Sequence, residues 1–176
     1  MSLLSKLNSR LPGLTHVISV YSLIVILIYG WTSYWLAWNL PSWLGFITLG
    51  DILGIFAYSF VVNFVESLAV LIAVLFLGVI LPEKYLRGDF VLIGGFVVLY
   101  FLIFGMFLIY DFVPLQRLGQ LVTVAILLFF VAQYAIRRFC LARKAIEALA
   151  DRSIIFLYVT IPVTIVGLFI VFLRSI

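Results

Sequence analysis

Residues 52–81 have the sequence ILGIFAYSFVVNFVESLAVLIAVLFLGVIL, an apolar run of 30 residues in which Glu66 is the one charged side chain. A hydrocarbon core about 30 Å thick needs roughly 20 consecutive apolar residues in a helix, so this run is long enough to cross a membrane with some tilt. An ionisable group at the bilayer centre costs at least about 2.5–3.5 kcal/mol. The run therefore predicts a transmembrane helix in which Glu66, near the middle, has either a partner or a function.

The rest of the chain has the same apolar character. It is 66% hydrophobic and 10% charged, with a mean hydropathy of +1.34 over 176 residues, whereas soluble domains are about 45–50% apolar and about 25% charged. Four further runs are long enough to span, namely residues 14–38, 90–110, 118–136 and 153–173. The sequence predicts an all-α polytopic integral membrane protein, with residues 1–176 forming a single transmembrane domain of five helices.

The basic residues give this domain an expected orientation. Nine of the 11 Lys and Arg residues lie before the first predicted span, between the second and third, or between the fourth and fifth, and only Arg117 and Arg174 lie on the opposite side. Because basic loops stay in the cytoplasm, this bias predicts a cytoplasmic N-terminus and an external C-terminus, with a bacterial cytoplasmic membrane as the expected location. The first span is interpreted as a retained signal anchor. Leucines at helical spacing before it predict a short N-terminal interfacial helix: Leu3, Leu4, Leu7 and Leu11.

Glu66 belongs to a polar stripe on the second predicted span. Ser59, Asn63 and Ser67 lie within about 100° of it on a helical wheel, so this face should look into the bundle or toward a partner. One interpretation is a protonated Glu66 that hydrogen-bonds a neighbouring helix, and Tyr100, at a similar depth in the third span, is the expected partner. The other is a carboxylate that binds cations or exchanges protons during transport.

All four tryptophans, Trp31, Trp35, Trp38 and Trp43, fall within 13 residues at the outer end of the first span. Tryptophan is enriched at membrane interfaces, so an aromatic belt at the headgroup level explains this cluster directly. A stacking platform for a sugar, a quinone-like headgroup or a partner protein is the functional alternative.

The longest cytoplasmic stretch is predicted to be a basic helix between the fourth and fifth spans. Phe139, Ala142, Ile146 and Leu149 form its apolar face. Its basic residues are Arg137, Arg138, Arg143, Lys144 and Arg152. The pattern is typical of a juxtamembrane helix that faces lipid, and docking of a cytoplasmic partner is the alternative.

The composition also limits the chemistry. With one Cys, one His and seven acidic residues scattered along the chain, no catalytic constellation or metal-ligand spacing is present, so no cofactor, metal or nucleic-acid partner is expected. The leading hypothesis is a non-catalytic multi-pass membrane protein, a scaffold or accessory subunit that packs against itself or a partner. The alternative is a small proton- or cation-coupled transporter or channel that uses Glu66.

Overall fold

The computed structural model describes residues 12–80, 90–110 and 115–175, and these residues form five α-helices. We number them in chain order as α1 (Leu14–Trp43), α2 (Leu49–Ile80), α3 (Phe90–Tyr110), α4 (Leu115–Arg138) and α5 (Cys140–Ser175). The all-α prediction is confirmed, and α3 has the bounds of the third predicted span. The predicted N-terminal interfacial helix lies outside the described residues.

Four of the helices, α1, α2, α3 and α5, are long and apolar enough to cross a membrane, which indicates an integral membrane protein. In α4 the described apolar stretch, Gly119–Tyr134, is shorter than the other four. Most of its large side chains are exposed, and Ala125 is its buried residue among those whose side chains are described. The structure thus has four candidate membrane spans and a fifth, peripheral helix.

The first helix lies at the centre of the bundle, where it contacts α2, α3 and α5. Val20, Leu23 and Ile24 on α1 are fully buried. Long-range contacts give the helix directions. The Tyr21 hydroxyl contacts Ser67 and the Tyr29 hydroxyl contacts Phe60, so α1 and α2 are antiparallel.

The remaining directions follow in the same way. Tyr100 contacts Ala125 while Phe96 stacks on Phe129, so α3 and α4 form an antiparallel hairpin. Ser22 contacts Ala150 and Tyr29 contacts Thr164, so α1 and α5 are parallel. Helix α1 is therefore parallel to α5 and antiparallel to α2, and α3 and α4 are antiparallel to each other.

Helices α1 and α2 extend beyond the predicted spans at the connection between them. The first span was expected to end before Pro41, but α1 continues past it to Trp43. A proline removes one backbone donor, and here only the final turn is affected, because the Leu44 N–H still donates to the Leu40 carbonyl at 3.1 Å. At the other end of the connection, α2 begins at Leu49 rather than at Ile52. The Thr48 side chain caps it by accepting a hydrogen bond from the Asp51 N–H at 3.2 Å.

The fifth helix joins the predicted basic juxtamembrane helix and the predicted fifth span into one continuous element. It runs for 36 residues from Cys140 to Ser175, through Pro162, and so includes most of the predicted basic juxtamembrane helix. The expected lipid-facing surface is only partly present: Phe139 and Leu149 are exposed, but Ile146 packs with Leu92 and Phe96 of α3. The Ala150 carbonyl accepts a hydrogen bond from Ser22 at 3.1 Å, which holds the segment against the bundle.

Small residues bring α2 and α5 close together. A Cβ atom added at Gly167 of α5 would lie 3.2 Å from the Ala57 carbonyl oxygen of α2. Nearer the end of the bundle, the Arg174 guanidinium forms an ion pair with Asp51 and covers Gly54, where a Cβ atom would collide with it. Backbone atoms of α2 and α5 can approach because these glycines have no side chains.

Candidate functional site

Glu66 points out of the bundle. Its neighbours Asn63 and Ser67 on α2 are buried and Ser59 is half-buried, but Glu66 itself is exposed. Among the described residues, none forms a hydrogen bond or an ion pair with Glu66. The polar stripe predicted from the sequence is therefore divided, with two members inside the bundle and the carboxyl group on the surface that would face lipid.

The predicted bond between Glu66 and Tyr100 is wrong. The Tyr100 hydroxyl donates to the Ala125 carbonyl at 2.6 Å, and its ring lies in an aromatic cluster with Phe96, Phe104 and Phe129. Tyr100 therefore joins α3 to α4. Similar depth in two helices does not imply contact, because α2 packs mainly against α1 and α5 rather than against α3.

The buried members of the stripe bind α1. The Ser67 hydroxyl lies 3.2 Å from that of Tyr21, and the Thr32 hydroxyl donates to the Asn63 side-chain oxygen at 3.0 Å. The Asn63 Nδ2 group is buried without a hydrogen-bond partner. These contacts give Asn63 and Ser67 the role of interhelical hydrogen bonding that the sequence analysis considered for Glu66.

Glu66 lies in a seam of exposed residues along the outer face of α2. The seam residues alternate at spacings of four and three, and all are exposed: Val62, Glu66, Ala69, Ala73, Phe76 and Ile80. This 3.5-residue average is the spacing by which one helix packs on another in a coiled coil. The small side chains of Ala69 and Ala73 permit close approach of a second helix.

A second polar group lies between α1 and α5, and the sequence analysis did not identify it. The buried Tyr29 hydroxyl lies 2.8 Å from the Thr164 hydroxyl, whose hydrogen goes to the Thr160 carbonyl at 2.7 Å. Tyr29 also contacts the Phe60 carbonyl at 3.2 Å and stacks on the Phe60 ring with centroids 5.7 Å apart. A tyrosine in the middle of an apolar span was the available signal, because a buried hydroxyl needs a partner.

Two of the cavities formed by described residues lie near these contacts, and neither is lined by Glu66. One, of about 290 Å³, is a cleft between α1 and α5. The other, of about 380 Å³, follows the aromatic face of α3. The residues that line the second are Phe96, Leu99, Tyr100, Ile103, Phe104 and Phe107. Within the described residues, no group of three or more His, Cys, Asp or Glu side chains is placed to hold a metal ion.

The tryptophans lie at the end of α1 and the basic residues lie near the start of α5. Because these two helices are parallel, the two groups are at opposite ends of the bundle. Trp35 and Trp38 are exposed, Trp31 and Trp43 are half-buried, and the Trp35 and Trp43 rings meet edge to face with centroids 5.8 Å apart. Near the start of α5, exposed Arg143 pairs with Glu147 at 3.0 Å. Arg138, Lys144 and Arg152 are also exposed, and the Arg137 side chain lies outside the described residues.

Comparison of the chain with protein-family models, with curated proteins and with solved structures gives no match.

Proposed function

We propose that this protein is a non-catalytic membrane subunit that assembles with further copies of itself through the α2 seam. The observation that carries the proposal is the exposed position of Glu66 within a seam of otherwise apolar and small residues. A carboxyl group that faces lipid is costly, and a contact that gives it a hydrogen-bond partner removes much of that cost.

A second copy of the chain can supply the hydrogen-bond partner of Glu66 without any basic residue. In a two-fold pair of chains with the same membrane orientation, the two α2 seams are parallel and their Glu66 side chains lie at the same depth. A protonated carboxyl group is both a donor and an acceptor, so two of them can bond each other. The four-and-three spacing makes the seam complementary to itself, and Ala69 and Ala73 allow the backbones to approach.

Transport is the second candidate function. A transported proton or cation needs a route to Glu66, and of the cavities formed by described residues, the cleft between α1 and α5 and the aromatic cavity of α3 are not lined by it. We retain transport as an outcome of the test on Glu66 described below.

We also propose that all five helices cross the membrane, with the N-terminus in the cytoplasm and the C-terminus outside. The parallel directions of α1 and α5, the antiparallel directions of α1 and α2, and the basic residues near the start of α5 support this topology. A reporter that is active only in the cytoplasm is expected to give no signal after Ile176 and a strong signal before Met1. A bright C-terminal fusion would contradict the topology and indicate that α4 does not cross.

Substitutions of Glu66 test the assembly. Glu66→Gln keeps a donor and an acceptor, so we expect the fraction of dimer to be nearly unchanged. Glu66→Leu removes the bond between the chains, worth about 1–2 kcal/mol in model peptides, and is expected to weaken association roughly five- to thirtyfold. Single-molecule photobleaching of labelled protein in vesicles, at several ratios of protein to lipid, measures both effects.

A charge exchange distinguishes a second copy from an unrelated partner. Chains with Glu66→Lys should not associate with one another, because two ammonium groups repel, but they should associate with wild-type chains through a Lys–Glu pair. Ala69→Leu should weaken association, whereas Ala37→Leu, at an exposed position on α1, should not. Wild-type chains that remain monomeric would overturn the proposal. Loss of a cellular phenotype in Glu66→Gln with normal assembly would favour proton or cation coupling.

A further inference from the structure

The cleft between α1 and α5 is independent of the seam. On α1 its wall consists of Ile26, Tyr29, Gly30 and Ser33, and Phe60 of α2 contributes at its base. The α5 wall consists of Phe156, Val159, Thr160 and Val163. From Ile26 to Ser33 the cleft follows α1 for about 10 Å, with Ser33 at the end nearer the tryptophans.

The hydroxyl hydrogens inside the cleft are already used. The Thr160 hydroxyl donates to the Phe156 carbonyl at 2.9 Å, and that of Thr164 donates to the Thr160 carbonyl at 2.7 Å. The Tyr29 hydroxyl has two acceptors within reach, the Phe60 carbonyl at 3.2 Å and the Thr164 oxygen at 2.8 Å. Because these polar groups satisfy one another, an occupant of the inner part needs no polar group there.

Gly30 supplies open space. A Cβ atom added at Gly30 would meet no atom within 4 Å other than those of its own helix backbone and chain neighbours. The rim is formed by exposed apolar residues, with 48% of Phe156 and 59% of Val159 accessible. In an integral membrane protein such a rim faces lipid. Ser33, which is exposed, has no hydrogen-bond partner among the described residues.

We propose that the cleft binds one aliphatic chain of a membrane lipid. The chain runs past Gly30 toward Ile26, and an ester or hydroxyl group of the lipid lies beside Ser33. A volume of about 290 Å³ is at the lower limit of small-molecule sites, which suits one chain and excludes a complete phospholipid. The lipid belongs to the leaflet at the tryptophan end of the bundle.

Photolabelling tests this site in the full chain. The protein is reconstituted in phosphatidylcholine vesicles that contain a phospholipid with a diazirine in one acyl chain, and the labelled residues are found by mass spectrometry. We expect label on residues 156–163 to exceed label on the exposed face of α4, residues 122–131, at least fivefold. Gly30→Phe fills the cleft and should reduce the excess to the level of α4. Gly105→Phe, at another glycine without neighbours within 4 Å, should not.

A second blocking variant keeps the test valid if Gly30→Phe does not fold. Val159→Trp blocks the cleft from the opposite wall, at an exposed position, and should also remove the excess label. Equal labelling of the cleft and α4 in the wild-type protein would show ordinary contact with bulk lipid and overturn the proposal. The same conclusion would follow if both blocking variants fold and retain the excess label.

Discussion

Tyr29→Ala is expected to lower the free energy of unfolding by about 3–5 kcal/mol, the cost of replacing a buried aromatic side chain by alanine. Tyr29 is 6% exposed, stacks on Phe60 and bonds Thr164, so its removal leaves a cavity where α1, α2 and α5 meet. For a protein of this size, the loss should lower the midpoint of thermal unfolding by on the order of 10 °C. Thermal unfolding in mild detergent, followed by circular dichroism, measures the change.

Two variants separate the ring from the hydroxyl. Tyr29→Phe keeps the stacking and loses one interhelical hydrogen bond, which averages about 0.6 kcal/mol in a membrane protein. Tyr158→Ala is the matched control, because Tyr158 on α5 is 77% exposed. Similar losses for Tyr29→Ala and Tyr158→Ala would show that Tyr29 is not part of the packed centre.

Gly167→Leu is expected to separate α2 from α5 and to lower the free energy of unfolding by about 1–3 kcal/mol, as overpacking does elsewhere. An added Cβ would lie 3.2 Å from the Ala57 carbonyl oxygen and 3.6 Å from the Ala57 Cα atom. Both belong to the backbone of α2, so a change of side-chain rotamer cannot relieve the contact. The distance between spin labels at the exposed positions Leu53 and Leu173 reports the separation, and it should be longer with Gly167→Leu than with Gly167 intact.

Gly119→Leu is the control for this substitution, since a Cβ at Gly119 meets nothing within 4 Å. The same control corrects for helix propensity, because leucine is favoured over glycine by roughly 1 kcal/mol in either helix. Equal stability changes at Gly167 and Gly119 would contradict the close approach of α2 and α5.

The sequence predicts the helices better than their contacts. The bounds of α3 follow from its apolar run because charged residues precede it and a charged residue follows it. The continuity of α5 does not follow, since Arg143 and Arg152 lower the hydropathy of a segment that is nevertheless helical and packed through Ile146. Hydropathy indicates which residues can lie in lipid. It does not show where a helix ends, because backbone hydrogen bonds can continue through a charged segment.

The inward faces could not be predicted because these helices are apolar around most of their circumference. Lipid is as apolar as the interior, so no periodicity distinguishes a buried face from an exposed one. The outward position of Glu66 and the pairing of Tyr29 with Thr164 depend on which helix lies beside which, and this information is not local. The ion pair between Asp51 and Arg174 joins residues 123 positions apart, so it also depends on which helices are neighbours.

The long α2 and the partly charged α5 give the bundle an apolar belt of uneven height. Over its 32 residues α2 is about 48 Å long and has exposed apolar side chains from Leu49 to Ile80. On α5 the uncharged part, residues 153–173, is about 31 Å long. A bilayer that matches α5 is too thin for α2, so the lipids beside α2 must stretch or the bundle must tilt. A change in membrane thickness therefore alters the hydrophobic mismatch mainly at the surface of α2. In thin bilayers, contacts that cover α2 should become more favourable.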